Sequence, residues 1–108
     1  MKEVLKGFAG KRVLVIGDLM VDHYVETAAK KLSREAPIPV SDVVAENSFA
    51  GGTSNLASNI VSLGGKAAVV GIVGKDYEGE LLMEILAKEG IDAKGITTCA
   101  RPTSLKTR

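Results

Sequence analysis

The sequence predicts an α/β fold: a parallel central sheet flanked by helices, with a small pair of exposed strands added to it. Three observations point there. Arg12-Val13-Leu14-Val15-Ile16-Gly17 and Ala67 to Val73 are short, nearly continuous apolar runs of strand length, the pattern of strands buried on both faces. The segments after Gly52 and after Asp76 repeat apolar residues at helical spacing. Strand and helix therefore alternate along the chain, which calls for parallel pairing through right-handed crossovers.

The elements follow in order. Arg12 to Gly17 forms the first buried strand. Asp18 to Ser48 is more polar, and Pro37 and Pro39 exclude a central strand or helix interior there. Asp22–Ala28 and Ile38–Glu46 are accordingly predicted as exposed strands joined by a turn. Gly51-Gly52 opens a helix whose apolar face holds Leu56, Ala57, Ile60, Val61 and Leu63, while its serines and asparagines lie mostly elsewhere. Gly64-Gly65 ends that helix in the left-handed conformation common at C-termini. Asp76 caps the next helix, with Glu78 and Glu80 in the first turn and Lys88 in the last, as the macrodipole prefers. Leu81, Leu82, Ile85 and Leu86 give its buried stripe, and Gly90 closes it. Ile96-Thr97-Thr98-Cys99 and Ser104-Leu105-Lys106-Thr107 read as two more strands.

At 108 residues there is room for one small domain. Hydrophobic residues make up 45% of the chain, enough for a core. With no Trp and only two Tyr and two Phe, that core must be aliphatic. Fourteen basic and thirteen acidic residues are spread along the sequence, giving a net charge of +1 without the basic, aromatic-interleaved stripe of a nucleic-acid binder. Cys99 is the sole cysteine; it has no disulfide partner within the chain, lies in no zinc-site spacing, and is expected to be a buried thiol. No stretch reaches the ~18 apolar residues of a membrane span, and the first residues lack the apolar run of a signal peptide. A cytoplasmic protein without membrane partners is expected. The chain ends partway through a strand, without cap or polar tail, so a truncated, partial fold is expected, prone to self-association through uncovered apolar surface.

Three clusters could carry chemistry. Gly17-Asp18-Leu19-Met20-Val21-Asp22 follows the first strand, where open α/β sheets collect ligands, and its two carboxylates can accept hydrogen bonds from hydroxyl groups. Asp18 could equally cap a turn, and Asp22 could equally be a solvated strand residue. Gly51-Gly52-Thr53-Ser54-Asn55 permits close backbone approach at a helix start, and Asn55 supplies both a donor and an acceptor. Gly71-Ile72-Val73-Gly74-Lys75-Asp76 joins a strand end to a helix start. No dinucleotide fingerprint or P-loop is present.

In this order and spacing, Gly51, Gly52, Asn55, Ala57, Gly64 and Gly74 resemble the first signature of the ribokinase/PfkB carbohydrate kinases, with Thr53 departing from its usual Gly, Ala or Pro. The stretch Leu32-Ser33-Arg34-Glu35-Ala36-Pro37-Ile38-Pro39-Val40 is similar to bacterial D-glycero-β-D-manno-heptose 7-phosphate kinases, enzymes of lipopolysaccharide synthesis that also occur fused to an adenylyltransferase. The resemblance implies a ribokinase-like fold and transfer of the ATP γ-phosphoryl group to a sugar hydroxyl. Asp22, Gly51, Gly52 and Asn55 would then line the sugar pocket, and residues 22–48 and 96–108 would supply strands of a lid. Lys106 and Arg108, two cations on one strand face, are candidates for the sugar phosphate. The catalytic aspartate and the pocket for ATP and Mg²⁺ belong to a C-terminal half that these residues do not include, so no catalytic residue is expected here. The full-length enzyme would be a homodimer joined through the lid. Another PfkB-type kinase, acting on ribose, fructose, tagatose phosphate or a nucleoside, is the alternative, as is a non-catalytic truncated fragment.

Overall fold

The computed structural model describes all residues, 1–108. In chain order the elements are helix α1 (Lys2–Lys6), strands β1 (Arg12–Ile16), β2 (Leu19–Leu32) and β3 (Pro39–Gly52), helix α2 (Thr53–Ser62), strand β4 (Lys66–Gly74), helix α3 (Tyr77–Lys88), and strands β5 (Asp92–Cys99) and β6 (Ser104–Thr107). They form two sheets. The central one is parallel, in the order β1-β4-β5. The second has the order β3-β2-β6, with β2 antiparallel to β3 and parallel to β6.

Strand β5 corrects one sequence expectation. Ile96–Cys99, assigned with the lid, lies in the central sheet, where Ile96 pairs with Gly71 and Thr98 with Val73. Only Ser104–Thr107 joins β2. The other two strands of the second sheet run further than predicted, fourteen residues each, and Gly51 and Gly52 close β3 before α2 begins at Thr53. Pro39 is tolerated because it is the first residue of its strand. Helix α1 was not anticipated. It buries none of its residues, so it has no apolar stripe to read.

The ribbon formed by β2 and β3 projects from the body. The radius of gyration is 17.8 Å, against about 13 Å for a compact domain of this length. At the far end Leu32, Ile38, Val43 and Val44 are exposed, and the Lys30–Asp42 ion pair at 2.6 Å joins two exposed side chains, a pairing worth little in water. At the near end Leu19, Val21 and Ala50 are buried in the same cluster as Val69, Leu82 and Leu86. The ribbon is thus rooted in the core and free at its tip.

Helix α3 forms as predicted: Asp76 accepts from the Gly79 N–H, Leu82 and Leu86 are buried, and Leu81 and Ile85 pack against them. Helix α2 differs in its buried face. Ser54 and Ala57 are fully buried and Val61 partly so, whereas Leu56 and Leu63 face outward. The first strand differs as well. One face of the central sheet carries α2 and α3, but the other is open, leaving Leu14, Ile16 and Ile72 each more than half exposed. No helix is long and apolar enough to cross a membrane.

Because so few large side chains hold the two sheets together, Leu82→Ala is expected to cost about 2–5 kcal/mol, against less than about 0.5 kcal/mol for Val43→Thr on the ribbon. Denaturant titration monitored by circular dichroism checks the contrast.

Candidate functional site

The site is built where β1 hands the chain to β2 and β3 hands it to α2. Gly52 has φ +56°, and a Cβ there would stand 2.8 Å from the Asp18 carbonyl oxygen. That same oxygen accepts from the Thr53 N–H at 3.0 Å, tying the start of α2 to the loop after β1. No side chain caps the helix.

Asp22 lies directly beyond this junction, on β2 opposite Phe49 of β3 and beside Lys106 of β6. Paired residues project from the same side of a sheet. One face of the second sheet therefore carries Met20, Asp22 and Tyr24, with Gly51 and Phe49 across on β3, Lys106 on β6 and Arg108 just past its end. Asp22 is half-buried, and its Oδ1 atom is buried without a hydrogen-bond partner. A buried carboxylate oxygen without a donor is costly. Gly51 makes room for it: a Cβ on that residue would lie 2.8 Å from Asp22 Cγ and 2.9 Å from Met20 Cγ. The sequence suggested a solvated strand position for Asp22 as one possibility; the structure shows a carboxylate set into a notch.

The other predicted residues are placed less tightly. Asn55 is exposed at the third residue of α2. Lys106 is exposed beside Asp22. Arg108 holds its guanidinium carbon 5.7 Å from the centre of the Tyr24 ring, a cation–π distance, and its backbone bonds to His23 and Val25 continue the ladder past β6. Tyr24 in turn meets Phe49 edge to face at 5.7 Å. This aromatic pair on the Asp22 face was missed from sequence because neither residue belongs to a glycine-bounded motif. A separate open groove of about 630 Å³ runs over the uncovered face of the central sheet toward its C-terminal edge, lined by Ile16, Asp18, Val70, Ile72, Thr97 and Arg101 among others; Arg101 is a cation that the sequence did not single out. Cys99 is half-buried there, and its Sγ lies 3.7 Å from the Arg101 carbonyl oxygen. His, Cys, Asp and Glu side chains gather nowhere in groups of three able to hold a metal ion.

Thr103 is the other residue that sequence reading missed. Its N–H donates to Asp76 Oδ2 at 2.8 Å, its hydroxyl donates to Asp76 Oδ1 at 2.6 Å, and the Gly74 N–H donates to that hydroxyl at 2.8 Å. Asp76 Oδ1 also accepts from the Gly79 N–H at 2.8 Å. The Thr103 hydroxyl and amide, with smaller help from Gly79, hold the Asp76 carboxyl below its ordinary value of 3.8 despite partial desolvation.

Residues 11–108 match the pfkB family carbohydrate kinase. The bifunctional protein HldE of Helicobacter pylori is 46% identical over 99 residues, covering 91% of this chain and 22% of that protein. The bifunctional protein HldE of Caulobacter vibrioides is 41% identical over 104 residues, 95% of this chain and 22% of the relative. The chain thus spans about a fifth of the length of these curated relatives. Among solved structures, fructokinase from Xylella fastidiosa with bound ATP superposes with a TM-score of 0.68 at 26% identity, over 91% of this chain and 29% of that one.

Two outcomes follow from the geometry. Gly51→Ala is expected to destabilise the chain by about 1–3 kcal/mol through overpacking, and Asp22→Ala should relieve part of that loss, with a coupling of at least about 0.5 kcal/mol in a double-mutant cycle. The Asp76 bonds favour the carboxylate, so their contribution is complete above the ordinary carboxylate range and disappears as pH falls through the lowered value. The melting temperature should therefore drop on acidification from pH 5 toward pH 2, and Asp76→Asn should flatten that part of the thermal-melt pH profile.

Proposed function

The chain belongs to the pfkB family of carbohydrate kinases, and on that premise we propose that it forms the sugar-binding part of a kinase whose acceptor is a heptose 7-phosphate. The observation that carries the reading is the Asp22 carboxylate, with one buried oxygen lacking a donor. A sugar hydroxyl supplies that donor when the carboxylate turns to present this oxygen to the sheet face, and the bond is charge-assisted. Gly51 keeps the notch open, and Asn55, at the first turn of α2, offers a donor and an acceptor to neighbouring hydroxyls. Lys106, on the same sheet face as Asp22, attracts the phosphate already on the sugar. Arg108 does so as well, by leaving its seat on Tyr24. The preference for heptose over ribose or fructose rests on the Leu32–Val40 stretch and is supported by identities of 41–46% to the HldE relatives.

The reaction transfers the γ-phosphoryl group of ATP, with Mg²⁺, to a hydroxyl of the bound sugar. These residues do not fit either group: no three metal-ligating side chains come together, and no glycine-rich phosphate loop is present. Residues of the longer polypeptide would hold them, and no step is assigned to this chain beyond binding and orienting the sugar. The second sheet, rooted in the core and projecting beyond it, suits a lid that excludes water from the transfer. Two such lids facing each other would form the proposed homodimer. The proposed location is the cytoplasm, where ATP is supplied.

A kinase assay on the complete gene product, with ATP and heptose 7-phosphate, tests the reading. Asp22→Asn should raise KM for the sugar by about tenfold to a hundredfold, the loss of one charge-assisted hydrogen bond. Lys106→Ala should raise KM for the phosphorylated sugar more modestly. Unchanged KM in Asp22→Asn would refute the assignment. The 108-residue chain alone should show no ATP-dependent turnover.

A further inference from the structure

Strand β6 presents a puzzle of support. It is four residues long, all of them exposed, and it lies at the edge of the second sheet with β2 as its only neighbour. Such a strand would fray if its ends were free. Yet its register decides which residue stands beside Asp22. With Met20 against Ser104 and Asp22 against Lys106, the cation lies on the carboxylate's face; a slip of one residue would turn it to the other.

The residue before β6 is Thr103, which is buried and makes the three bonds to Asp76 and Gly74 described above. The surroundings leave no slack. A Cβ at Gly74 would lie 2.5 Å from the Arg101 carbonyl oxygen and 2.7 Å from both Asp76 Oδ2 and the Thr103 nitrogen. A Cβ at Gly79 would lie 3.0 Å from Asp76 Oδ1 and from Thr103 Oγ1. Asp76 is itself fixed as the cap of α3, whose Leu82 and Leu86 are anchored in the core. A rigid path therefore runs from the core, through α3 and the Asp76 carboxylate, to the residue that leads into a weakly held strand.

We propose that Asp76 and Thr103 form a clasp that fixes the register of β6 and thereby positions Lys106 beside Asp22 for sugar phosphate binding. Both are positioning residues that act through Lys106. The inference rests on the sugar-binding reading above for its functional half, and on the hydrogen bonds alone for its structural half.

The test uses the complete gene product carrying Thr103→Val, which keeps the shape and removes the hydroxyl, and Thr103→Ser, which restores it. Hydrogen exchange is followed on peptides covering residues 104–108 and 81–87, alongside kinase turnover with heptose 7-phosphate. The clasp predicts that Thr103→Val speeds exchange at 104–108 by about tenfold, the loss of roughly one net hydrogen bond, and leaves 81–87 as in the wild type. KM for the phosphorylated sugar should rise severalfold with kcat little changed, and Thr103→Ser should recover both. Should Thr103→Val leave exchange at 104–108 unaltered, or speed both peptides equally, the clasp is refuted. If exchange responds as predicted but KM does not, the positioning role is refuted. A wild-type protein that turns over no sugar phosphate rejects the substrate reading instead, and the exchange data still decide on the clasp.

Discussion

Close backbone approach at the junction of the two sheets is the constraint on which the rest of the structure depends. Four glycines meet there, and each would clash if it carried a side chain. A Cβ on Gly17 would touch the Thr53 hydroxyl at 2.5 Å, one on Gly71 would touch the Gly17 carbonyl at 2.8 Å, and those on Gly52 and Gly51 would strike the Asp18 carbonyl and the Asp22 carboxyl. At Gly52 and Gly71 the nearest atom is a backbone carbonyl oxygen, which cannot move aside, and at Gly17 and Gly51 it belongs to a short side chain, Thr53 or Asp22, with little room to yield. The approach brings the end of β1, the start of β2, the end of β3 and the start of α2 to one place. Without it the Asp22 carboxylate would not sit in a notch, and α2 would not begin against the Asp18 carbonyl.

The second sheet inherits its character from that junction. Its base is buried with Leu19, Val21 and Ala50 in the common core, whereas its outer end is exposed on both strands. A ribbon held at one end can change its angle at modest cost, since few apolar contacts break when the tip moves. The base cannot move so freely, and it is the base that carries Asp22 and Lys106. A held base and a free tip are the division that the proposed water-excluding sugar site would use.

Much of the fold was legible because it is locally encoded. Glycine-closed apolar runs marked β1 and β4, the Asp76 cap and the Leu81–Leu86 stripe marked α3, and the glycine pairs marked the limits of α2. What escaped reading depends on distant partners. Ile96–Cys99 is a short β-branched run of strand type, and nothing within it says whether β4 or β2 is its neighbour. Helix α2 turns Ser54 and Ala57 inward and Leu56 outward, with Leu63 exposed just past its end, a rotation that its apolar pattern alone does not specify. The site divides the same way. Asp22, Gly51 and Gly52 were visible as motif residues, but the unpartnered Oδ1 of Asp22 is a property of packing. Thr103 bonds to a residue 27 positions away, a pairing no local pattern announces.

The central claim is that Asp22 and its neighbours recognise a phosphorylated heptose. Calorimetric titration of the complete gene product with heptose 7-phosphate, ribose 5-phosphate and fructose 6-phosphate tests it most directly. The account predicts that the heptose binds at least about tenfold more tightly than either competitor, a difference of roughly 1.4 kcal/mol. Equal affinities for all three, or tighter binding of ribose or fructose phosphate, would contradict it.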